Sequence, residues 1–321
     1  VSTTPVAKTA NLLALTGGTG FLGRRIGEIA TARGWKIRAL VRRSKRGPRP
    51  GLGFSAETVS GDLDDPAALK QLVSGASLVI HNAGRVRAPS SGAFHRANAD
   101  GAGKVAAAFA AAGVADGRFV LVSSLAATRP RISAYAASKA AGEAVVTAAL
   151  QGRRLAIVRP PAIYGPRDSA TKPLFKAFLR GFAPRFGPAD AKLAMIYVDD
   201  AARAILAAAD AASPAQPVFE VDDGADGYRW SEIGAHAAAA VGGNLTPLPV
   251  PGLFVLVAGG IGSVVSSLRL GAPFLTLGKA RETLAGDWRP NPTLALLGWS
   301  PEVSLKAGFT MTLAWYKDHK N

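Results

Sequence analysis

Two side chains in this sequence have the types and spacing for proton transfer, Tyr135 and Lys139, in the run Tyr135-Ala136-Ala137-Ser138-Lys139. On a helix they stand one turn apart on the same face. A nearby ammonium stabilises a phenolate and lowers the tyrosine pKa, which prepares the hydroxyl for proton exchange near neutral pH. Ser123 and Ser124 end the preceding apolar run, Phe119-Val-Leu-Val122, with Ser123 read as a strand residue facing a cofactor or the core. Thiolate chemistry and zinc–sulfur sites are excluded by the absence of cysteine, and His81, His95, His236 and His319 have no metal-ligand spacing.

A second group of residues points to a phosphate. Thr16-Gly17-Gly18-Thr19-Gly20-Phe21-Leu22-Gly23 follows an apolar run and opens a helical one, with Gly18, Gly20 and Gly23 spaced as Gly-x-Gly-x-x-Gly. One glycine permits the tight turn, another lets the backbone approach a pyrophosphate, and the last lets the helix pack on its strand. An acid about twenty residues on, at the end of the second strand, would hold a free ribose 2′-hydroxyl. This chain has Leu40-Val41-Arg42-Arg43 there. A guanidinium suits a 2′-phosphate through charge-assisted bonds, so NADP is favoured, with NAD the alternative. The competing reading is that Arg42 and Arg43 merely close a strand on a basic surface.

Apolar runs alternate with helical stretches through the first half, the pattern of a parallel sheet wrapped by helices. Strands are predicted at 11–16, 36–41, 57–60, 77–81, 118–123 and 154–158, and helices at 21–33, 66–73, 92–112 and 133–150. The fold class is therefore α/β: a Rossmann doubly wound parallel sheet with a smaller C-terminal substrate-binding region. After Arg159 proline and glycine break the alternation. This places a dinucleotide-binding domain at 1–159, with strands returning to the sheet near 194–222, and a substrate-binding region at 160–193 and 223–321.

Further motifs follow in order: Asp62-Leu63, His81-Asn82-Ala83-Gly84, Asn98 within Phe94–Gly101, Arg159-Pro160-Pro161-Ala162-Ile163-Tyr164-Gly165-Pro166, Tyr197-Val198-Asp199-Asp200, and Leu297-Gly298-Trp299-Ser300-Pro301. Together with the glycine turn and the Tyr–Lys pair, they resemble the extended short-chain dehydrogenase/reductase family over nearly the whole chain. The resemblance implies a nicotinamide-dependent oxidoreductase acting on a carbonyl or secondary alcohol. Tyr135 would be the general acid/base, and Lys139 would bind the nicotinamide ribose and tune Tyr135. Ser124 would bond the substrate oxygen, and Asn98 would hold either the helix or a proton-relay water. The cofactor would lie along Gly17 to Gly23, Asp62, Leu63, Asn82, Ala83, Gly84, Ser123, Pro160, Ala162 and Ile163. Asp199 and Asp200 read as helix caps.

The family also contains nucleotide-sugar epimerases and dehydratases, so the fold alone does not choose a substrate. The sugar enzymes usually carry Asn where this chain has Ala162, which favours an apolar substrate as in the hydroxysteroid dehydrogenase and dihydroflavonol reductase branch. Epimerisation is the enzymatic alternative, and a non-catalytic nucleotide-binding subunit is the alternative of another class.

The formal charge of +16 is concentrated at 24–49 and 153–192 and favours anionic partners. Nucleic acid is not expected, because no stacking platform or recognition helix accompanies the charge. No signal-peptide pattern opens the sequence, and the first eight residues read as a loose tail, so a cytoplasmic protein is expected. The Ala-rich helices at 92–112 and 133–150 resemble those through which family members form homodimers. Residues 244–268 carry no charge. They read as a pocket lid or core helix, with a peripheral membrane contact as the alternative and a true span disfavoured by length.

Overall fold

The computed structural model describes residues 11–42, 51–268 and 275–319. The expected tail at 1–8 and Arg43 lie outside these residues. The chain first builds β1 (Leu12–Thr16), α1 (Phe21–Ala32), β2 (Lys36–Val41), β3 (Glu57–Ser60), α2 (Pro66–Val73) and β4 (Leu78–His81). It continues through α3 (Ser91–His95), a π turn (Arg96–Asp100), α4 (Gly101–Ala111), β5 (Arg118–Val122), α5 (Ala134–Ala149) and β6 (Arg154–Arg159).

These strands form a parallel sheet in the order β11-β6-β5-β4-β1-β2-β3, its last member being β11 (Val218–Glu220). β1, β4 and β5 read as almost unbroken apolar runs because helices cover both their faces. Alternate residues feed two cores. Leu13, Leu15, Ile80 and Val120 pack with Ile26 and Ile205 on one side. Ala14, Val79, Phe119 and Leu121 pack with Leu72, Val105, Phe109 and Val146 on the other. The chain runs outward from β1 to β3 and then crosses back to β4. The order therefore reverses between β1 and β4, which opens a crevice at the carboxyl ends of those strands.

Two expectations need correction. The helix expected at 92–112 carries a π turn at Arg96–Asp100 between α3 and α4. The widened turn lets α5 come close: a Cβ on Gly142 would lie 2.5 Å from the Asn98 carbonyl oxygen. Of the two strands expected to rejoin the sheet near 194–222, only β11 does so. Pro160 and Pro161 lack the N–H groups that would continue β6. The chain leaves the sheet there as β7 (Ala162–Tyr164), which pairs instead with β10 (Met195–Tyr197).

The remaining elements are α6 (Lys172–Leu179), β8 (Phe182–Arg185), β9 (Lys192–Leu193), α7 (Val198–Asp210), β12 (Tyr228–Arg229), α8 (Trp230–Val241), β13 (Thr246–Pro249), α9 (Gly252–Ser267), α10 (Leu277–Leu284) and α11 (Leu305–Asp318). They complete the fold, and α7 packs against α1, β5 and β6 on one face of the sheet. Asp199 and Asp200 stand in the first turn of α7 without capping it. Their work is long-range. Asp199 accepts both 2.6 and 2.7 Å bonds from Arg25 on α1. Buried Asp200 accepts from the Glu302 and Val303 backbone N–H groups and from Arg203. Among the described residues, no helix is long and apolar enough to cross a membrane.

Candidate active site

The turn after β1 is held by close backbone contact. Gly17 adopts φ +73°, and a Cβ on it would lie 2.8 Å from the Ala83 nitrogen. A Cβ on Gly23 would lie 2.0 Å from the Gly17 carbonyl oxygen, so only glycine lets α1 start against this turn. Thr19 lies at the tip of this turn, while Leu22 is buried beneath it. No side chain caps the first turn of α1, whose N–H groups face the crevice with the positive end of the helix dipole. From β4, Asn82 donates to the Gly17 carbonyl and the Ala83 N–H donates to Thr16 Oγ1. Asp62 forms an Asx turn with Asp64, and Leu63 packs against Gly101. Arg42 is exposed at the end of β2.

The catalytic candidates meet at the ends of β4 and β5. Ser124 stands beside Tyr135 on the same cavity wall, and the Tyr135 ring packs edge-on to Phe94. Lys139 Nζ donates to the Val122 carbonyl at 2.8 Å. The sequence leads one to expect a lowered tyrosine pKa. The structure has it raised to about 12, because burial outweighs the opposing pull of Ser124 and Glu282 adds negative charge nearby. The change falls on the lysine: burial lowers Lys139 to about 8, against the pull of Glu143. The same desolvation, with the Lys139 charge, lowers His81 to about 3.

Asn98 has both ends of its amide engaged. Its oxygen accepts from the Arg85 N–H at 2.7 Å, and its nitrogen donates to the Arg85 carbonyl and to Ser138. It fixes the loop that carries Gly84, where a Cβ would lie 3.7 Å from Lys139 Nζ. Ser123 turns away from the crevice and donates to Glu143 at 2.5 Å. Glu143 also accepts two bonds from Arg159, which reaches on to Glu220. This buried chain of charges lies directly beneath Lys139.

A cavity of about 1190 Å³ opens beside Tyr135 and Ser124. Its wall is mostly apolar and includes Pro161 and Ala162 from the β6–β7 turn, Met195 from β10 and Phe254 and Val255 from α9. Pro160 instead accepts the Leu125 N–H, and Ile163 sits in β7. Of the positions expected to hold cofactor, Ala162 thus faces the cavity and Ser123 the interior.

The family model described as the NAD dependent epimerase/dehydratase family matches residues 13–221. The chain belongs to this family. A ceramide reductase of Caulobacter vibrioides is 42% identical over 95% of this chain and 94% of its own length. A 2-alkyl-3-oxoalkanoate reductase of Stenotrophomonas maltophilia is 29% identical over 92% and 96%. The structure of a UDP-glucose 4-epimerase from Thermotoga maritima superposes with a TM-score of 0.73 at 19% identity, over 97% of this chain and 100% of the other, a likeness of fold. This epimerase/dehydratase-family member is an NAD(P)-dependent oxidoreductase with the extended short-chain dehydrogenase/reductase architecture. Its residues fit the cofactor, because Gly17, Gly23 and the uncapped start of α1 form the cradle a pyrophosphate needs. Two groups near the reacting end escaped the sequence reading. Glu143 stands four residues beyond Lys139 on the same helix, a spacing that could have revealed it. Glu282 comes from α10, accepts from Ser133 at 2.5 Å and from Lys279 at 3.0 Å, and has no local signal in the sequence.

Proposed function

We propose that this oxidoreductase reduces a ketone on a long-chain, lipid-like substrate, with NADPH as the preferred reductant. The observation that carries this reading is the apolar cavity against which Ser124 and Tyr135 present their hydroxyls. At about 1190 Å³ it exceeds the usual range of roughly 300–1,000 Å³ for small-molecule sites. Most of the surface it exposes is apolar, and Ala162 offers no amide to a diphosphate. Two relatives similar along most of the chain are called reductases, one of ceramide and one of a 2-alkyl-3-oxoalkanoate.

Tyr135 is the proton donor. Its raised pKa keeps the hydroxyl protonated at neutral pH, as a reduction requires. Ser124 shares the substrate oxygen with Tyr135 and fixes its position. Reduced nicotinamide, when bound, supplies the hydride that adds to the carbonyl carbon. The Tyr135 proton goes to the carbonyl oxygen, and the product is a secondary alcohol. Lys139, held by the Val122 carbonyl and charged below about pH 8, orients the nicotinamide ribose and returns positive potential to Tyr135. Asn98 acts through the 84–85 loop as a positioning residue. Arg42, exposed at the end of β2, recognises the 2′-phosphate. Two copies pair through α4 and α5, where Val145 is exposed among small side chains.

The test is direct. Purified protein with NADPH and a long-chain 3-oxo lipid in mixed micelles is expected to consume NADPH and yield the alcohol. Turnover of a UDP-sugar, with none of the lipid ketone, would transfer the assignment to epimerisation.

A further inference from the structure

α9 is uncharged throughout, and its two sides differ sharply. Leu253, Phe254, Val257, Ile261, Val264 and Leu268 are exposed; Leu253 keeps 71% and Ile261 62% of its surface in water. At about 100° per residue these six fall within one quarter to one third of the helix circumference. The opposite side holds Val255, Gly259, Gly262 and Ser266, all buried. There Gly259 lets α9 sit directly on α10: a Cβ would lie 2.8 Å from Ala280 Cβ. Ser263 and Ser266 further fix α9 by bonds to Leu277 and Ala88. The exposed stripe is therefore rigidly presented over 16 residues, about 24 Å of helix. Contiguous apolar patches of this kind mark interaction sites.

Two observations say what covers it. The stripe borders the cavity, since Phe254 belongs to both, and exposed Val86 continues the apolar rim on the far side. Arg131 and Arg281 also line this cavity. Both are exposed, and neither has an ion-pair partner among the described residues. Greasy side chains beside unpaired guanidinium groups match the layering of a bilayer surface, with acyl chains below and anionic headgroups above. A helix too short to cross can still lie in that interface.

We propose that α9 docks this protein on a bilayer carrying anionic lipids, with Arg131 and Arg281 against the headgroups and the cavity mouth open to the acyl layer. The substrate then enters sideways from the membrane without its chain crossing water. This route rests on the reading of the cavity as a site for lipid ketones. The docking itself is measured without substrate or cofactor, so either can fail alone.

The full chain is floated on a density gradient with vesicles of phosphatidylcholine, or of phosphatidylcholine with phosphatidylglycerol. The expected result is co-flotation, stronger with phosphatidylglycerol and weakened by salt. Val257→Glu/Ile261→Glu, outside the cavity lining, should lower the bound fraction by about tenfold or more. It should keep its melting temperature and its rate on a short, water-soluble ketone. Arg131→Ala/Arg281→Ala should abolish the preference for phosphatidylglycerol. Wild type that stays with the soluble fraction, or a Glu variant that floats as well as wild type, would overturn the proposal. So would a Glu variant that turns a dimer into a monomer in light scattering, since the stripe would then be a subunit interface. A phosphatidylglycerol preference untouched by loss of the two arginines would overturn the orientation.

Discussion

Replacing Glu143 by Gln separates what holds this site together from what charges it. Glu143 is buried and accepts from Ser123 Oγ at 2.5 Å and from Arg159 at 2.9 and 2.6 Å. Gln keeps the shape and one acceptor oxygen but loses the charge and one Arg159 bond. Breaking one partner out of a buried ion pair costs about 3–5 kcal/mol. Arg159 retains Glu220 at 3.2 Å, so the lower end, about 3 kcal/mol, is expected here. For a chain of 321 residues that is a fall of about 4–5 °C in melting temperature. The second effect lies in the pH profile. Glu143 raises the Lys139 pKa against the desolvation that brings it to about 8. Without the negative charge, Lys139 loses its proton at a lower pH. The alkaline fall of kcat/KM for ketone reduction, near pH 8 in the wild type, should therefore move down. Melting curves and pH profiles of the two proteins provide the measurement. A variant that loses stability while its alkaline limb stays in place would refute electrostatic support of Lys139. Unchanged stability would refute the cohesion assigned to the pair.

Tyr135→Phe should lower kcat by about a hundred- to ten-thousand-fold and leave cofactor affinity nearly unchanged; wild-type turnover would remove Tyr135 from the proton path. Arg42→Ala should weaken NADPH binding by about tenfold while NADH changes little, consistent with a charged hydrogen bond of about 1.5–3 kcal/mol. Fluorescence titration of both cofactors decides this, and equal losses would leave Arg42 as a surface charge. His81 binds a proton near pH 6.5 when unfolded but only near pH 3 when folded, so its contribution is neutral above 6.5 and destabilising as pH falls toward 3. Urea unfolding should show a loss of about 3 kcal/mol from this group between pH 7 and pH 4, with a shallower slope in His81→Asn; parallel slopes would contradict it. Light scattering at micromolar concentration should give a symmetric dimer, and a monomer would end that proposal.

The central strands were legible as apolar runs buried on both faces, and the outer strands Lys36–Val41 and Glu57–Ser60 and the helix Pro66–Val73 have the expected limits because turn residues bound them. The candidate site was legible where its residues share one element, as Tyr135 and Lys139 do on α5. It was not legible where contact is long-range. Glu282 reaches Ser133 across 149 positions, and nothing near either residue announces the meeting. The π turn at Asn98 answers to the close approach of Gly142, a packing demand from another helix. The direction of the Tyr135 pKa also escaped, because spacing reports a neighbouring charge but not the dielectric around it. Expecting the strand at Ile196–Val198 in the main sheet failed for a related reason: an apolar run shows that a strand is buried, not which partner it takes.

Asp200 also sets the order in which the chain can finish folding. Its carboxylate is fully buried, and two of its partners are the N–H groups of Glu302 and Val303, about a hundred residues further on. Until that segment leaves the ribosome, α7 must carry a charge that has only Arg203 to meet it. Yet α7 covers one face of the cofactor sheet, and Arg25 joins it to the helix behind the glycine turn. The nucleotide-binding half is therefore expected to reach its full stability only once the C-terminal segment has docked. Its last stabilising contacts arrive with the C-terminal segment, so protease resistance of the glycine turn in nascent chains should rise only after residue 303 has emerged.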